Sequence, residues 1–234
     1  MINEYKNIKV IGFDADDTLW VNETYFREAE EKIQRLLSDY ETPNKIDQEL
    51  FKMEMKNLPI YGYGVKAFIL SMVEVALELS NYNISNKTIE AILNIGKDML
   101  EKPVELLDGV EEVLSDLSKK YRLILATKGD LLDQERKLQK SGLTKYFHHI
   151  EVLSDKRERN YSNLLNHLDI KPTEFLMIGN SLKSDILPLV NIKAHAIHIP
   201  FHTTWVHEQV SKKETNGKIY KTIGSLKELI NLLN

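Results

Sequence analysis

Cysteine is absent from all 234 residues. That excludes disulfides, thiolate catalysis and cysteine-ligated zinc or iron–sulfur centres. A basic excess is also missing. Lys and Arg total 31 against 35 Asp and Glu, and the net charge of -4 argues against a nucleic-acid partner. No apolar run approaches the ~20 residues that a spanning helix needs, so no membrane partner is expected. The opening Met-Ile-Asn-Glu-Tyr-Lys leads into an apolar run too short for a secretory core, and a cytoplasmic location is the expectation. Internal repeats and low-complexity tracts are lacking. What remains is an ordinary globular composition, 42% hydrophobic and 28% charged, on a chain long enough for one large domain or two modest ones.

Short apolar runs at residues 8–13, 122–126, 150–153, 175–178 and 196–199 predict buried strands, with an edge strand over 219–223. Helical patterns over 110–119, 131–141, 162–168 and 185–191 alternate with them. Such alternation implies parallel pairing through right-handed crossovers, an α/β fold with a Rossmann-like parallel sheet. About a hundred residues separate the first two strands, far more than one crossover requires. Helical patterns fill the gap, over 23–40, 65–79 and 87–100, with Pro43, Pro59 and Pro103 expected near helix boundaries. The expected organisation is an α/β catalytic core over 1–20 and 103–234, with an inserted α-helical subdomain over 21–102. Placed beside the end of the first strand, it could act as a lid, or be a helical decoration with no gating role.

The first strand ends in Asp14-Ala15-Asp16-Asp17-Thr18-Leu19-Trp20. Ligands usually bind at the carboxyl ends of strands in open α/β sheets. Two acids at i and i+2 can reach one site if the chain turns there, one as nucleophile and metal ligand, the other as acid/base group. Three crowded carboxylates repel unless a cation neutralises them. The competing reading is an acidic turn in which Asp16 or Asp17 caps a helix.

Three later strand ends make sense together with this one. Thr127-Lys128-Gly129 offers a hydroxyl and turn amides that can hold phosphoryl oxygens, although a threonine there is often only a helix cap. Lys128 is expected to bind substrate as well. Lys156, after the third strand, could neutralise a carboxylate and a transferring phosphoryl group; Arg157 is the fallback. Gly179-Asn180-Ser181-Leu182-Lys183-Ser184-Asp185 supplies oxygen donors suited to Mg²⁺, or, on the simpler reading, a turn and an acid in a first helical turn. In the insertion, Leu58-Pro59-Ile60-Tyr61-Gly62-Tyr63-Gly64 reads as a shaped loop whose Tyr61 and Tyr63 either face substrate or pack on neighbouring helices. Trp20 is expected to wall the cleft. The scattered His195, His198, His202 and His207 fit no helical zinc motif.

In this order the four features resemble the haloacid dehalogenase (HAD) superfamily, in its aspartyl-phosphatase branch. Asp14-Ala15-Asp16-Asp17-Thr18 fits the Asp-x-Asp-x-Thr motif, Thr127 the second-strand hydroxyl, Lys156 the lysine, and 179–185 the acidic fourth motif. The insertion looks like the family's cap. The resemblance implies that Asp14 attacks phosphorus and forms an aspartyl-phosphate. Asp16 protonates the leaving oxygen and then activates water. Asp14, the Asp16 carbonyl and Asp185 hold Mg²⁺, while Thr127 and Lys156 orient the phosphoryl group. Asn180 stands where the family more often has Asp, which removes one charge from the metal site. The carboxylate at Asp16, with Asp185, argues for phosphate esters over haloacids. The expected function is therefore a Mg²⁺-dependent phosphatase acting on a small phosphorylated metabolite. The alternatives are a phosphosugar mutase and a catalytically weakened phosphate-binding protein. Substrate identity and oligomeric state are not legible.

Overall fold

The structure is a computed structural model that describes residues 5–233. Residues 1–4 and 234, which the expected core domain included, lie outside the described residues. Among the described residues six strands form one sheet: β1 (Val10–Phe13), β2 (Arg122–Lys128), β3 (His149–Leu153), β4 (Phe175–Gly179), β5 (His195–His198) and β6 (Lys221–Thr222). Their spatial order is β3-β2-β1-β4-β5-β6, and every pairing is parallel. The helices are α1 (Glu23–Leu36), α2 (Pro43–Tyr61), α3 (Val65–Leu79), α4 (Asn86–Glu101), α5 (Val110–Leu117), α6 (Leu131–Lys140), α7 (Glu158–His167), α8 (Leu187–Asn191), α9 (Lys212–Thr215) and α10 (Glu228–Leu233). Among the described residues no helix is long and apolar enough to cross a membrane.

The strands read as continuous apolar runs because both faces of the sheet are covered. On one face Ile11, Phe13, Leu123, Leu125 and Ile178 pack with Val113, Leu114 and Leu117 of α5 and Leu229 of α10. On the other, Val10, Ile124, Phe175 and Met177 pack with Tyr161, Leu164 and Leu165 of α7. Gly12 leaves room for this second layer, since a Cβ there would lie 2.6 Å from the Phe175 ring. The chain leaves β1 toward β2 and β3, then crosses to β4 on the other side of β1. The sheet therefore has a topological switch point between β1 and β4, where open α/β sheets bind ligands.

The chain divides into two compact units. The sheet and its flanking helices form one, from residues up to 23, 104–128 and 134 onward. Residues 24–103, joined by 129–133, form the other. The helical unit has its own core: Ala29 and Ile33 of α1, Leu50 and Met53 of α2, Phe68, Met72 and Val75 of α3, Ile92 and Ile95 of α4. Gly96 lets α3 and α4 approach, because a Cβ would fall 1.7 Å from the Ile69 side chain. Within this unit Lys66 pairs with Asp130 at 2.9 Å.

Three local expectations are corrected. Residues 58–61 are not a loop but the last turn of α2, with Pro59 inside the helix. A proline lacks the N–H for its i−4 bond, and the helix ends two residues after this one, at Tyr61, with Gly62 following in the left-handed region at φ +73°. Residues 182–186 make a single π-helical turn rather than the first turn of a regular helix. The edge strand spans only two residues, which leaves little exposed ladder for another chain to pair with.

Candidate active site

The parallel register aligns Phe13 with Leu125 on one side and Ile178 on the other, so β1, β2 and β4 end side by side. Asp14 extends the ladder by one bond, its N–H donating to Ile178 O at 2.9 Å. The backbone then turns. Leu19 N–H returns to Ala15 O at 2.8 Å, and Asp17 adopts φ +61°, a conformation that aspartate tolerates better than most side chains. The Asp17 carboxylate closes the turn by accepting the backbone N–H groups of Asn22 (2.8 Å) and Glu23 (3.0 Å). Asp17 thus closes the turn that leads into α1.

Asp14, Lys156 and Asp185 meet at the switch point, with only 7%, 3% and 1% of their surfaces exposed. The Lys156 ammonium donates to Asp14 Oδ1, and to Asp185 Oδ1 at 2.6 Å. Arg157, the neighbouring candidate, has its side chain 78% exposed and pairs with Asp155. Burial pushes the Asp14 carboxyl up to about 7; Lys156 opposes that shift and Asp185 adds to it. Burial alone would lower the Lys156 ammonium, but the Asp14 and Asp185 carboxylates outweigh it and hold it well above the usual lysine range. Gly179 makes the approach of Asp185 possible, because a Cβ there would lie 2.3 Å from Asp185 Oδ2. The same Oδ2 accepts the Ser181 N–H at 3.0 Å.

Thr18 joins the first motif to the fourth. Its hydroxyl lies 3.2 Å from Asp14 Oδ2 and 3.3 Å from Asn180 Oδ1, and it accepts the Asn180 N–H at 3.1 Å. Asn180 is therefore beside Asp14. Two carboxylates already gathered on one cationic group, with the Asn180 amide oxygen linked to them through Thr18, are a donor set that fits a hard dication. Among the described residues no group of three His, Asp or Glu side chains could hold a metal. A metal here would take two carboxylates and complete its shell with carbonyl and water oxygens, as Mg²⁺ commonly does.

The remaining candidates are placed differently. The Asp16 carboxylate meets Trp20 Nε1 (2.8 Å), Gln134 Nε2 (2.8 Å) and Lys137 Nζ (2.5 Å) rather than Lys156. Trp20 is fully buried. The buried Thr127 hydroxyl donates to Lys128 O at 3.2 Å. The Lys128 ammonium donates to Ser184 Oγ at 2.9 Å and to Glu208 Oε1 at 2.7 Å. Tyr61 and Tyr63 belong to the helical unit, where Tyr61 ends α2 and is exposed. Of the histidines, His198 Nε2 lies 3.0 Å from Asn180 O.

Glu208 escaped the sequence reading. It sits in a short 3₁₀ turn after β5, and its other oxygen accepts from Ser181 Oγ and, at 2.6 Å, from Ser184 Oγ. It thereby ties the end of β2 to the loop that carries Asp185. Burial would raise Glu208, but the Lys128 ammonium and the three hydrogen bonds outweigh it and hold the carboxyl at about 2. A folded-state value below the ordinary 4.5 contributes stability that is present above pH 4.5 and lost as pH falls toward 2. Glu208→Gln should therefore cost on the order of 2 kcal/mol at pH 6, a deficit that shrinks between pH 5 and pH 3. Urea titrations at each pH measure it; a pH-independent deficit would contradict the ionic account.

The family model for haloacid dehalogenase-like hydrolases matches residues 8–192. A haloacid dehalogenase-like family hydrolase from Xanthomonas campestris superposes with a TM-score of 0.86 at 36% identity, over 97% of this chain and 91% of that one. A HAD hydrolase from Bacillus subtilis, determined bound to magnesium, has a TM-score of 0.64 at 20% identity, over 98% of this chain and 100% of that one, and shares the fold. The human N-acylneuraminate-9-phosphatase is 23% identical over 212 residues, 86% of this chain and 83% of the human protein. The chain is an enzyme, and it belongs to the haloacid dehalogenase-like hydrolase family.

Proposed function

We propose that the chain hydrolyses the phosphate monoester of a small metabolite, with Asp14 as nucleophile and Mg²⁺ as cofactor. The observation that carries this reading is the Lys156 ammonium shared by Asp14 and Asp185 at the β1–β4 switch point. A buried carboxylate and a buried cation there suit a phosphoryl group, whose transfer depends on positioning and on charge stabilisation. Asp14 attacks phosphorus as the ester P–O bond breaks. Asp16 gives a proton to the departing oxygen, and then takes one from the water that cleaves the aspartyl-phosphate. Thr127 and Lys156 hold the phosphoryl oxygens. Asp14, Asp185, the Asp16 carbonyl and Asn180 would hold the dication, which neutralises phosphoryl charge when bound. Lys128, Tyr61 and Tyr63 shape substrate binding, the buried Trp20 acts on the site through its bond to Asp16, and the helical unit acts as the cap that selects the substrate. The relatives named N-acylneuraminate-9-phosphatase make phosphorylated sugar acids the first esters to try.

Phosphate release from a panel of sugar, sugar-acid, nucleotide and amino-acid phosphates tests the reading. Activity should fall at least ~100-fold in excess chelator and return on adding Mg²⁺, since the dication offsets charge in the transition state. Absence of turnover on every ester, from folded protein in Mg²⁺, would overturn it.

A further inference from the structure

Asp16 is held from α6 by two side chains to which no role has yet been given. Both of its oxygens are engaged: Oδ1 by Trp20 Nε1 and Lys137 Nζ, Oδ2 by Gln134 Nε2. Gln134 and Lys137 stand three residues apart, on one face of the helix. Each is fixed in turn. Gln134 Nε2 also donates to Lys128 O at 3.0 Å, and Lys137 Nζ lies 3.3 Å from Asn22 Oδ1. Gln134 is 2% exposed, and its Oε1 is buried with no hydrogen-bond partner among the described residues. An orphaned acceptor costs about 1–3 kcal/mol, and a side chain kept only for packing would avoid that cost. Its two donor contacts, to Asp16 and to the backbone of the second strand end, are what the residue supplies.

We propose that Gln134 and Lys137 are positioning residues that fix the Asp16 carboxyl group where it can serve the leaving-group oxygen. The inference rests on the phosphatase reading above. In that step the Asp14–phosphorus bond forms and the phosphorus–ester oxygen bond breaks. The bonding pair goes to the ester oxygen, and Asp16, entering the step protonated on an oxygen that faces that ester oxygen, gives it the proton and is left as the carboxylate that its donors hold. Proton delivery demands hydrogen-bond reach, so a carboxyl free to rotate delivers less well. The need for that proton grows as the leaving alcohol becomes less acidic.

Leaving-group dependence therefore reads this role directly. kcat/KM, which reports steps through departure of the alcohol, is measured for an alkyl phosphate and for aryl phosphates of graded phenol acidity, p-nitrophenyl phosphate included. Gln134→Ala and Lys137→Met should lose about 10–100-fold on the alkyl ester and less than about 3-fold on p-nitrophenyl phosphate, a part of the roughly 10²–10⁴-fold that general acid catalysis contributes. Asp16→Asn should show the same pattern more strongly. Lys137→Arg, which keeps a cationic donor, should recover most of the alkyl activity. Equal losses across the series would mean a structural or phosphate-binding role and overturn the proposal, as would no loss at all. If the native enzyme releases phosphate from none of these esters, the phosphatase reading itself fails, and this proposal falls with it.

Discussion

Asp14→Asn should abolish phosphate release, lowering kcat by at least ~10⁴-fold while the protein stays folded. Removing the nucleophile from a covalent mechanism costs on the order of 10⁶, because the remaining site can only bind and polarise. Asparagine matches aspartate in shape, so the Thr18 and Lys156 contacts keep partners. The neutral side chain also removes a stability cost. In the native fold burial raises Asp14 to about 7, above its ordinary 3.8, so the folded state loses stability as pH rises between those values. Above pH 7 the variant should consequently melt at or above the native temperature, and the advantage should vanish below pH 4. Activity lost together with a lower melting temperature at pH 8 would point to misfolding and against the nucleophile assignment. Retention of more than a tenth of the native kcat would contradict it outright.

Lys156→Met should be damaging in both respects. The ammonium is buried between two carboxylates, and methionine fills its volume without its charge. Breaking a buried ionic cluster by removing one partner typically costs about 3–5 kcal/mol, since the remaining charges stay desolvated. Here the two left behind are both negative. Losing a preorganised cation beside developing charge should lower kcat by a further ~10²–10³-fold. Mg²⁺ should raise the melting temperature of Lys156→Met more than that of the native protein, because a dication supplies the charge that the variant lacks. Thermal melts with and without Mg²⁺, beside phosphate-release kinetics, check all three effects. A variant with native stability would show that the shared ammonium is not what holds Asp14 and Asp185 together.

Some of this was legible in the chain because it is local. The run at 8–13 reads as a strand because its residues are apolar on both faces, and a strand covered on both sides needs nothing else. Its abrupt end in Asp14, Asp16 and Thr18 marks a site because adjacent acids are costly wherever no cation answers them. The alternation of strands and helices implies a parallel sheet for similarly local reasons. The helix containing Pro59 was not legible, since proline is read as a boundary and here sits inside the helix, in its last turn.

Other features are decided by contacts between residues remote in sequence. Lys156 and Arg157 are neighbours of like charge. Only the packed fold turns the first toward Asp14, 142 positions away, and leaves the second in solvent. Gln134 and Lys137 are ordinary polar residues of an amphipathic helix until the sheet brings Asp16 to them across 118 and 121 positions. Glu208 lies 80 positions from Lys128 and carries no motif. Local pattern marked the strands, most of the helices and the acid-bearing strand end, because burial periodicity and charge crowding act between near neighbours. The tertiary structure alone decided which charges pair, because opposite charges gain in a dry interior only at hydrogen-bonding distance, and chain packing sets that distance.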